Sequence, residues 1–336
     1  MRFNPKGEDD ERQFIDEYLD ETGHTKEVEV YKNSTYGWNP ADHDGRVLRI
    51  TKSNFGTFNW CPQQYYLQSF KGLRGETVYY HTRGLNVHDM VEYFWATFTS
   101  KEDALALIAM NDDEGARQLL HATIPSPPTP YLYGEDEQIA QWVDWQFQRL
   151  KITQGINWEP TKVEANIHAN RFVEVDDVQI PIHLSGYIDT IFDTGKGGYA
   201  LMELKTGKYN SSKPTNMRKE MAFYKMMLDH SPHAEYLPIT HWGWEFPGGG
   251  IEGGVGPTID YEKVGKRAMT SVENGLKKLI RAHINMEFPP TPFLGKLPKG
   301  VAIEDAVLKC NWCDYKSQCE FWSVTDDYLD DIMEGK

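Results

Sequence analysis

Residues 186–207 read GYIDTIFDTGKGGYALMELKTG, two short runs of strand character separated by the turn Thr194–Gly198 (TGKGG). Side chains alternate across a strand, so Ile188 and Asp189 face opposite ways, whereas Glu203 and Lys205, two apart, share a face. An antiparallel hairpin over this stretch lets Asp189, Glu203 and Lys205 converge on one point. Neighbouring carboxylates repel and raise each other's pKa, and a divalent cation between them resolves the conflict; oxygen ligands suit magnesium or manganese. A lysine beside such a cation can orient or deprotonate an attacking water and stabilise charge growing on a phosphate. Taken alone, Glu203-x-Lys205 reads as an ordinary surface ion pair on an exposed strand. The otherwise apolar strand, the preceding Gly186-x-x-Asp189 strand and the abrupt stop at Thr206-Gly207 favour a site.

Outward from the hairpin, strand character extends back over 161–175 and 178–193, and a helix over about 215–229 and a strand over 238–246 follow it. Val87, Met90, Val91, Phe94, Trp95 and Phe98 recur at helical spacing, with Gly84 just ahead of that helix. Ile139, Trp142, Val143 and Phe147 define another helix over 135–150, and a long helix over about 260–285 precedes the last cysteines. The segment Ser53–Phe70 reads as a short helix, a Cys61-Pro62 corner and a second helical turn. Pro125–Pro130 (PSPPTP) is a loop. The glycine-rich run 247–257 lacks the lysine and hydroxyl residue of a phosphate loop and reads as a hairpin tip.

The 336 residues suffice for one large domain with insertions, or two interlocked lobes. No stretch has the roughly 20 apolar residues of a membrane helix, and the start carries no apolar secretory segment, so the expected location is the cytoplasm. The net charge of −15 is concentrated at the ends: residues 1–30 hold ten acidic and four basic side chains, and residues 319–336 hold six and one. The body is therefore nearly neutral and has room for a basic groove. These limits predict an acidic, poorly ordered arm over 1–45, a single domain over 46–322 with a helical insertion over about 100–155, and an acidic tail over 323–336.

Four cysteines form a C-x2-C-x5-C group (Cys310, Cys313, Cys319) with one distant partner, Cys61. Reduced thiols in a cytoplasmic protein point to ligands of one metal centre holding the two ends of a domain together. Tetrahedral thiolates suit zinc or an iron-sulfur cluster equally.

The order of these motifs resembles the PD-(D/E)XK nuclease superfamily, in particular its RecB/AddB-like branch of iron-sulfur exonucleases, which includes CRISPR-associated members. Gly84-Leu85-Asn86-Val87-His88 resembles the family's helical histidine motif, GYIDTIFD its aspartate motif and MELKTGK its E-x-K motif; the likeness spans about residues 53–322. The resemblance implies an α/β fold with a restriction-endonuclease-like core, a mixed central sheet flanked by helices, helical insertions and an iron-sulfur staple joining the N- and C-terminal parts. It implies that His88, Asp189, Glu203 and the Leu204 main-chain carbonyl bind Mg2+ or Mn2+, with Lys205 as catalytic base or transition-state stabiliser. Glu164 occupies the place of an auxiliary acid, and Glu92, one turn after His88, is placed to orient the imidazole. Glu220 and Tyr224 match the family's Q-x3-Y motif, but glutamate replaces glutamine, and an ionised carboxylate would repel a phosphate backbone. By the same resemblance Cys61, Cys310, Cys313 and Cys319 hold a [4Fe-4S] cluster of structural role, with zinc as the chemical alternative.

The implied activity is metal-dependent hydrolysis of DNA, single-stranded or at duplex ends, in repair, recombination or CRISPR-type processing. Tyr65, Tyr66 or Tyr224 are candidates for stacking on unpaired bases. No helicase phosphate loop is present, so any motor, recombination or CRISPR protein is a separate partner. The alternative is a non-catalytic DNA-binding subunit stapled by iron-sulfur or zinc.

Overall fold

Thr51 caps the first helix with its side chain, accepting a hydrogen bond from the Asn54 N–H, and Pro62 opens the second at a position where a missing N–H costs nothing. The computed structural model describes residues 12–15, 28–31, 46–75, 79–126, 131–207, 213–247, 262–291, 310 and 313–323. In chain order its elements are β1 (Arg12–Ile15), β2 (Val28–Tyr31), β3 (Arg46–Thr51), α1 (Lys52–Trp60), α2 (Pro62–Ser69), α3 (Tyr79–Thr97), α4 (Lys101–Ala109), α5 (Asp113–His121) and α6 (Glu135–Thr153). They continue with β4 (Lys162–Val175), β5 (Val178–Asp193), β6 (Tyr199–Leu204), α7 (Lys213–Asp229), β7 (Ile239–Glu245), β8 (Glu262–Lys263), α8 (Lys266–Asn285) and α9 (Glu320–Ser323). The chain divides into two compact units, residues 1–77, 169–185 and 273–336, and residues 78–168 and 186–272. β4, β5 and α8 each run from one unit into the other.

In the first unit β1 pairs antiparallel with β2, β2 parallel with β3, and Leu48–Thr51 of β3 parallel with Ile182–Ser185 of β5. Leu48, Ile50, Ile182 and Leu184 are buried. Polar groups among them are paired: His183 with Asn170 at 2.7 Å, and Ser185 with Arg49 at 3.2 Å. Gly275 of α8 lets Phe55 of α1 come close, since a Cβ there would lie 2.7 Å from the ring. Tyr65, Phe70, His283 and Phe288 pack edge-on or tilted around one another.

In the second unit the sheet is mixed: β5 runs antiparallel to β6, β6 parallel to β7, and β7 antiparallel to β8. Its helical core gathers Val87 and Phe94 from α3, Trp142, Val143 and Phe147 from α6, Trp158, and Leu204 from β6. The sheet and helices match the mixed α/β architecture expected. The aromatic spacing of α3 and α6 is the cause, because those residues are the ones buried. One expectation is corrected: Gly84 lies inside α3, which begins at Tyr79. The residues before Gly84 carry no proline, so nothing interrupts the helix, and a single glycine costs it only about 1 kcal/mol. Likewise α8 starts at Lys266, and β8 occupies part of the stretch expected as helix. Most of the N-terminal arm, the tail from residue 324 on, residues 127–130 of the proline run and residues 248–257 of the glycine-rich run lie outside the described residues.

The Tyr65 hydroxyl lies 2.8 Å from His283 Nε2 in the core of the first unit. Burial lowers the His283 pKa to about 3, so the ring is neutral and shares one hydrogen bond with the hydroxyl. The unfolded chain takes up a proton that the folded chain refuses, so this group's contribution to stability is lost as pH falls below 6.5 toward 3. Tyr65→Phe should lower the unfolding free energy at neutral pH by roughly 1–3 kcal/mol in chemical denaturation, because the ring nitrogen is left buried without its hydroxyl partner. An unchanged midpoint would contradict this account of the bond.

Candidate metal centre

The 186–207 stretch folds as the expected hairpin, with Thr190 opposite Met202 and Asp193 opposite Tyr199. The Thr194 N–H donates to Gly198 O at 2.9 Å, and Gly195 and Gly197 take φ of 66° and 77°, values that glycine adopts without strain. Beyond the last paired residues, the Asp189 side chain takes over from the ladder: its Oδ2 accepts from the Leu204 N–H at 2.7 Å. The Leu204 side chain is buried in the helical core, so Glu203 and Lys205 project to the opposite face.

His88, Glu164 and Asp189 each offer a ligand atom within 4.8 Å of the others, the one such grouping among the described residues. With Glu92 and Leu204 they line one small recess. Each comes from a different element. His88 sits on α3, its Nδ1 3.7 Å from Asp189 Oδ2 and its ring hydrogen-bonded to the Leu204 main chain. Burial lowers the His88 pKa against the opposing pull of Glu203 and Glu164, which favours the neutral imidazole that a metal requires. Glu164 stands in β4 with φ of 46°, a left-handed conformation that is strained for glutamate and interrupts the regular alternation of the strand. Burial, reinforced by Asp189, raises its pKa to about 7. Two carboxylates and a neutral imidazole at this spacing are a fitting donor set for a hard divalent cation.

Glu203 lies beside this trio instead of within it. Its carboxylate, almost wholly buried, pairs with Lys205 Nζ at 2.6 Å and receives a hydrogen bond from the Tyr224 hydroxyl. Lys205 also pairs with Glu220 at 2.9 Å. Glu220, where glutamine was the family pattern, thus joins Glu203 in gripping the lysine. Tyr224 is 1% exposed and Tyr65 likewise, so neither can stack on a base as expected from sequence. Their rings belong to the two cores.

One feature escaped the sequence reading. Arg149 of α6 forms an ion pair with Glu245 of β7 at 2.6 Å, both side chains nearly inaccessible, and Trp142 Nε1 donates to the same carboxylate at 2.8 Å. The Glu245 main-chain oxygen accepts from the Lys205 N–H at 2.9 Å, so this buried pair underlies the end of β6. The partners are far apart in sequence; the available signal was a glutamate placed between tryptophan and phenylalanine in an apolar strand.

None of the four cysteines is in a disulfide, and all belong to the first unit. Cys61 closes α1 and accepts a hydrogen bond from the Thr291 N–H at 3.4 Å. Burial raises the Cys313 pKa to about 11, and Cys61, Cys310 and Cys319 add to the rise, so the four sulfurs lie within electrostatic reach of one another.

Glu164→Gln separates charge from shape at the trio. The folded state binds a proton that the unfolded state has lost between pH 4.5 and about 7, so stability from this group falls as pH rises through that window. Without divalent cation, the glutamine variant should melt above the wild type at pH well over 7 and match it below 4.5. A gap independent of pH would contradict the crowding of carboxylates.

The family model of the PD-(D/E)XK nuclease superfamily matches residues 49–320. Among solved structures, the crystal structure of SSO0001 is similar at 10% identity, over 81% of this chain and 85% of that one, with a TM-score of 0.32. No curated protein matches the chain.

Proposed function

Because the chain belongs to the PD-(D/E)XK nuclease superfamily, we propose that its second unit hydrolyses DNA phosphodiester bonds with Mg2+ or Mn2+ held by His88, Glu164 and Asp189. The observation that carries this reading is the convergence of imidazole and carboxylates beside Lys205. Glu203 and the Leu204 carbonyl, adjacent to the trio, complete the ligand set. A cation bound there makes the attacking water more acidic and screens the phosphate. The protein's own groups do the rest. Asp189 is held by the Leu204 N–H through Oδ2, the same oxygen that lies 3.7 Å from His88 Nδ1, so one contact fixes the carboxylate beside the imidazole. Lys205, kept in place by Glu203 and Glu220, supplies positive charge to the phosphate oxygens as the bond breaks and orients the water for in-line attack. Because Glu220 is engaged with Lys205, its carboxylate is held by the lysine together with Glu203. Exonucleolytic action in repair, recombination or CRISPR-type processing, with any motor on a separate protein, is the biological role we assign.

Linear single-stranded or duplex DNA should be degraded with Mn2+, and Lys205→Ala should lower the rate by about 100-fold or more while the protein stays folded. Full activity in that variant would refute the role given to the lysine. Degradation that persists without divalent cation would refute the metal.

For the first unit, the proposal is a [4Fe-4S] cluster held by Cys61, Cys310, Cys313 and Cys319, with zinc as the rival. Support comes from the mutual proximity of the thiols and from burial of Cys313, whose proton a metal would displace. Its role is structural, joining the α1–α2 corner to the C-terminal cysteines. Anaerobically purified protein should carry iron and a broad brown absorbance, both lost in Cys313→Ser. Stoichiometric zinc without iron would establish the rival.

A further inference from the structure

Of the rings that sequence singled out for base stacking, Tyr65 and Tyr224 are buried and Tyr66 is half-buried, but another pair is exposed. Tyr79, at the start of α3, is 57% exposed, and Tyr133, in the turn before α6, is 39% exposed; their centroids lie 5.5 Å apart at 43°. The Arg83 guanidinium lies 5.8 Å from the Tyr79 centroid. Leu85 and Leu132 add exposed apolar surface on the same two segments, at 67% and 77%. Solvent-facing aromatic rings backed by a guanidinium are the chemistry of base stacking.

The pair is tied to the candidate centre by half-buried polar contacts within the second unit. Glu135, 1% exposed, accepts from the Tyr133 N–H at 2.7 Å and from the Asn86 amide at 2.9 Å. Asn86 is two residues from His88 on the same helix. Gln138 of α6 donates to the Thr206 carbonyl at 3.2 Å, and a Cβ on Gly84 would lie 3.6 Å from Thr206 Oγ1, next to Lys205. The Tyr133 turn is thus anchored to the helix that carries the histidine, and both helices border the exit of β6. Tyr79 lies about 13 Å from His88 along the α3 axis, a few nucleotides of an extended strand.

We propose that Tyr79 and Tyr133 form a stacking platform for the unpaired bases of single-stranded DNA entering the candidate metal centre. The inference rests on the nuclease reading for the use to which the bound strand is put. A duplex hides its base faces, so the platform selects single strands or frayed ends. The rim carries acid as well as base, since Asp89 and Asp136 stand near Tyr131. The platform therefore works through ring faces more than through phosphate attraction, and its contribution is insensitive to salt.

The test is equilibrium binding without divalent cation, so that nothing is cleaved, using a short oligothymidylate, the same backbone lacking bases, and a blunt duplex. Wild-type protein should bind oligothymidylate more tightly than the abasic strand. Tyr79→Ala and Tyr133→Ala should each weaken oligothymidylate binding by about 5- to 150-fold, equally at low and high salt, while the phenylalanine variants stay within about twofold of wild type. Duplex affinity should not move. Equal wild-type affinity for the abasic strand, alanine variants that bind as wild type, or an equal loss toward duplex would overturn the platform. Equal affinity for the abasic strand is measured on unaltered protein and needs no variant to fold. Hydrolysis with Mn2+ is assayed in parallel: no cleavage by wild type, with the stacking pattern intact, would sink the nuclease reading and leave the platform standing. Cleavage without the stacking pattern would do the reverse.

Discussion

The Leu204 peptide is the joint on which the site turns. Its side chain is sealed in the helical core, its N–H is taken by Asp189 at 2.7 Å, and its main chain is hydrogen-bonded to His88. A residue so constrained cannot rotate without unpacking Val87, Phe94 and Trp142 from around it. The flanking Glu203 and Lys205 are therefore committed to the opposite face, and Asp189 and His88 to positions near the main chain between them. Hydrophobic burial here sets the geometry of polar groups that would otherwise repel one another.

That repulsion is visible in the protonation of the trio. Glu164 is burdened by its own burial and by the Asp189 carboxylate, and it retains a proton up to about pH 7. A strained backbone at φ 46° delivers this acid to the recess, a cost that regular strand geometry would avoid. The neighbouring acids are treated differently. Glu203 and Glu220 share the single charge of Lys205, and Glu245 is paired with Arg149.

Much of this was legible in the chain. The hairpin follows from strict alternation around a glycine turn, and α3 and α6 from aromatic residues at helical spacing, because in both cases the pattern records which face is buried. Resemblance of the GYIDTIFD and MELKTGK motifs to a nuclease family pointed to Asp189, which the fold groups with His88 and Glu164, and to Glu203 and Lys205, which pair beside that trio. What stayed hidden depends on contacts between distant segments or on single backbone angles. Alternation alone gives no hint that Glu164 adopts a left-handed conformation and so joins His88 and Asp189. Nor does the spacing of Glu220 reveal that Lys205 is its partner, or that Arg149 meets Glu245 in the interior. The exposed tyrosines illustrate the same limit: Tyr65 and Tyr79 are alike in sequence context, yet one is enclosed by an aromatic cluster and the other faces solvent.

The most direct test of the central claim is calorimetric titration of Mn2+ into the metal-free protein and into its Asp189→Asn variant, in two buffers of different ionisation enthalpy. The account predicts saturable binding to the wild type with release of a proton near pH 7, and marked weakening in the variant. Binding that is undiminished by the asparagine, or no binding to the wild type at all, would contradict it.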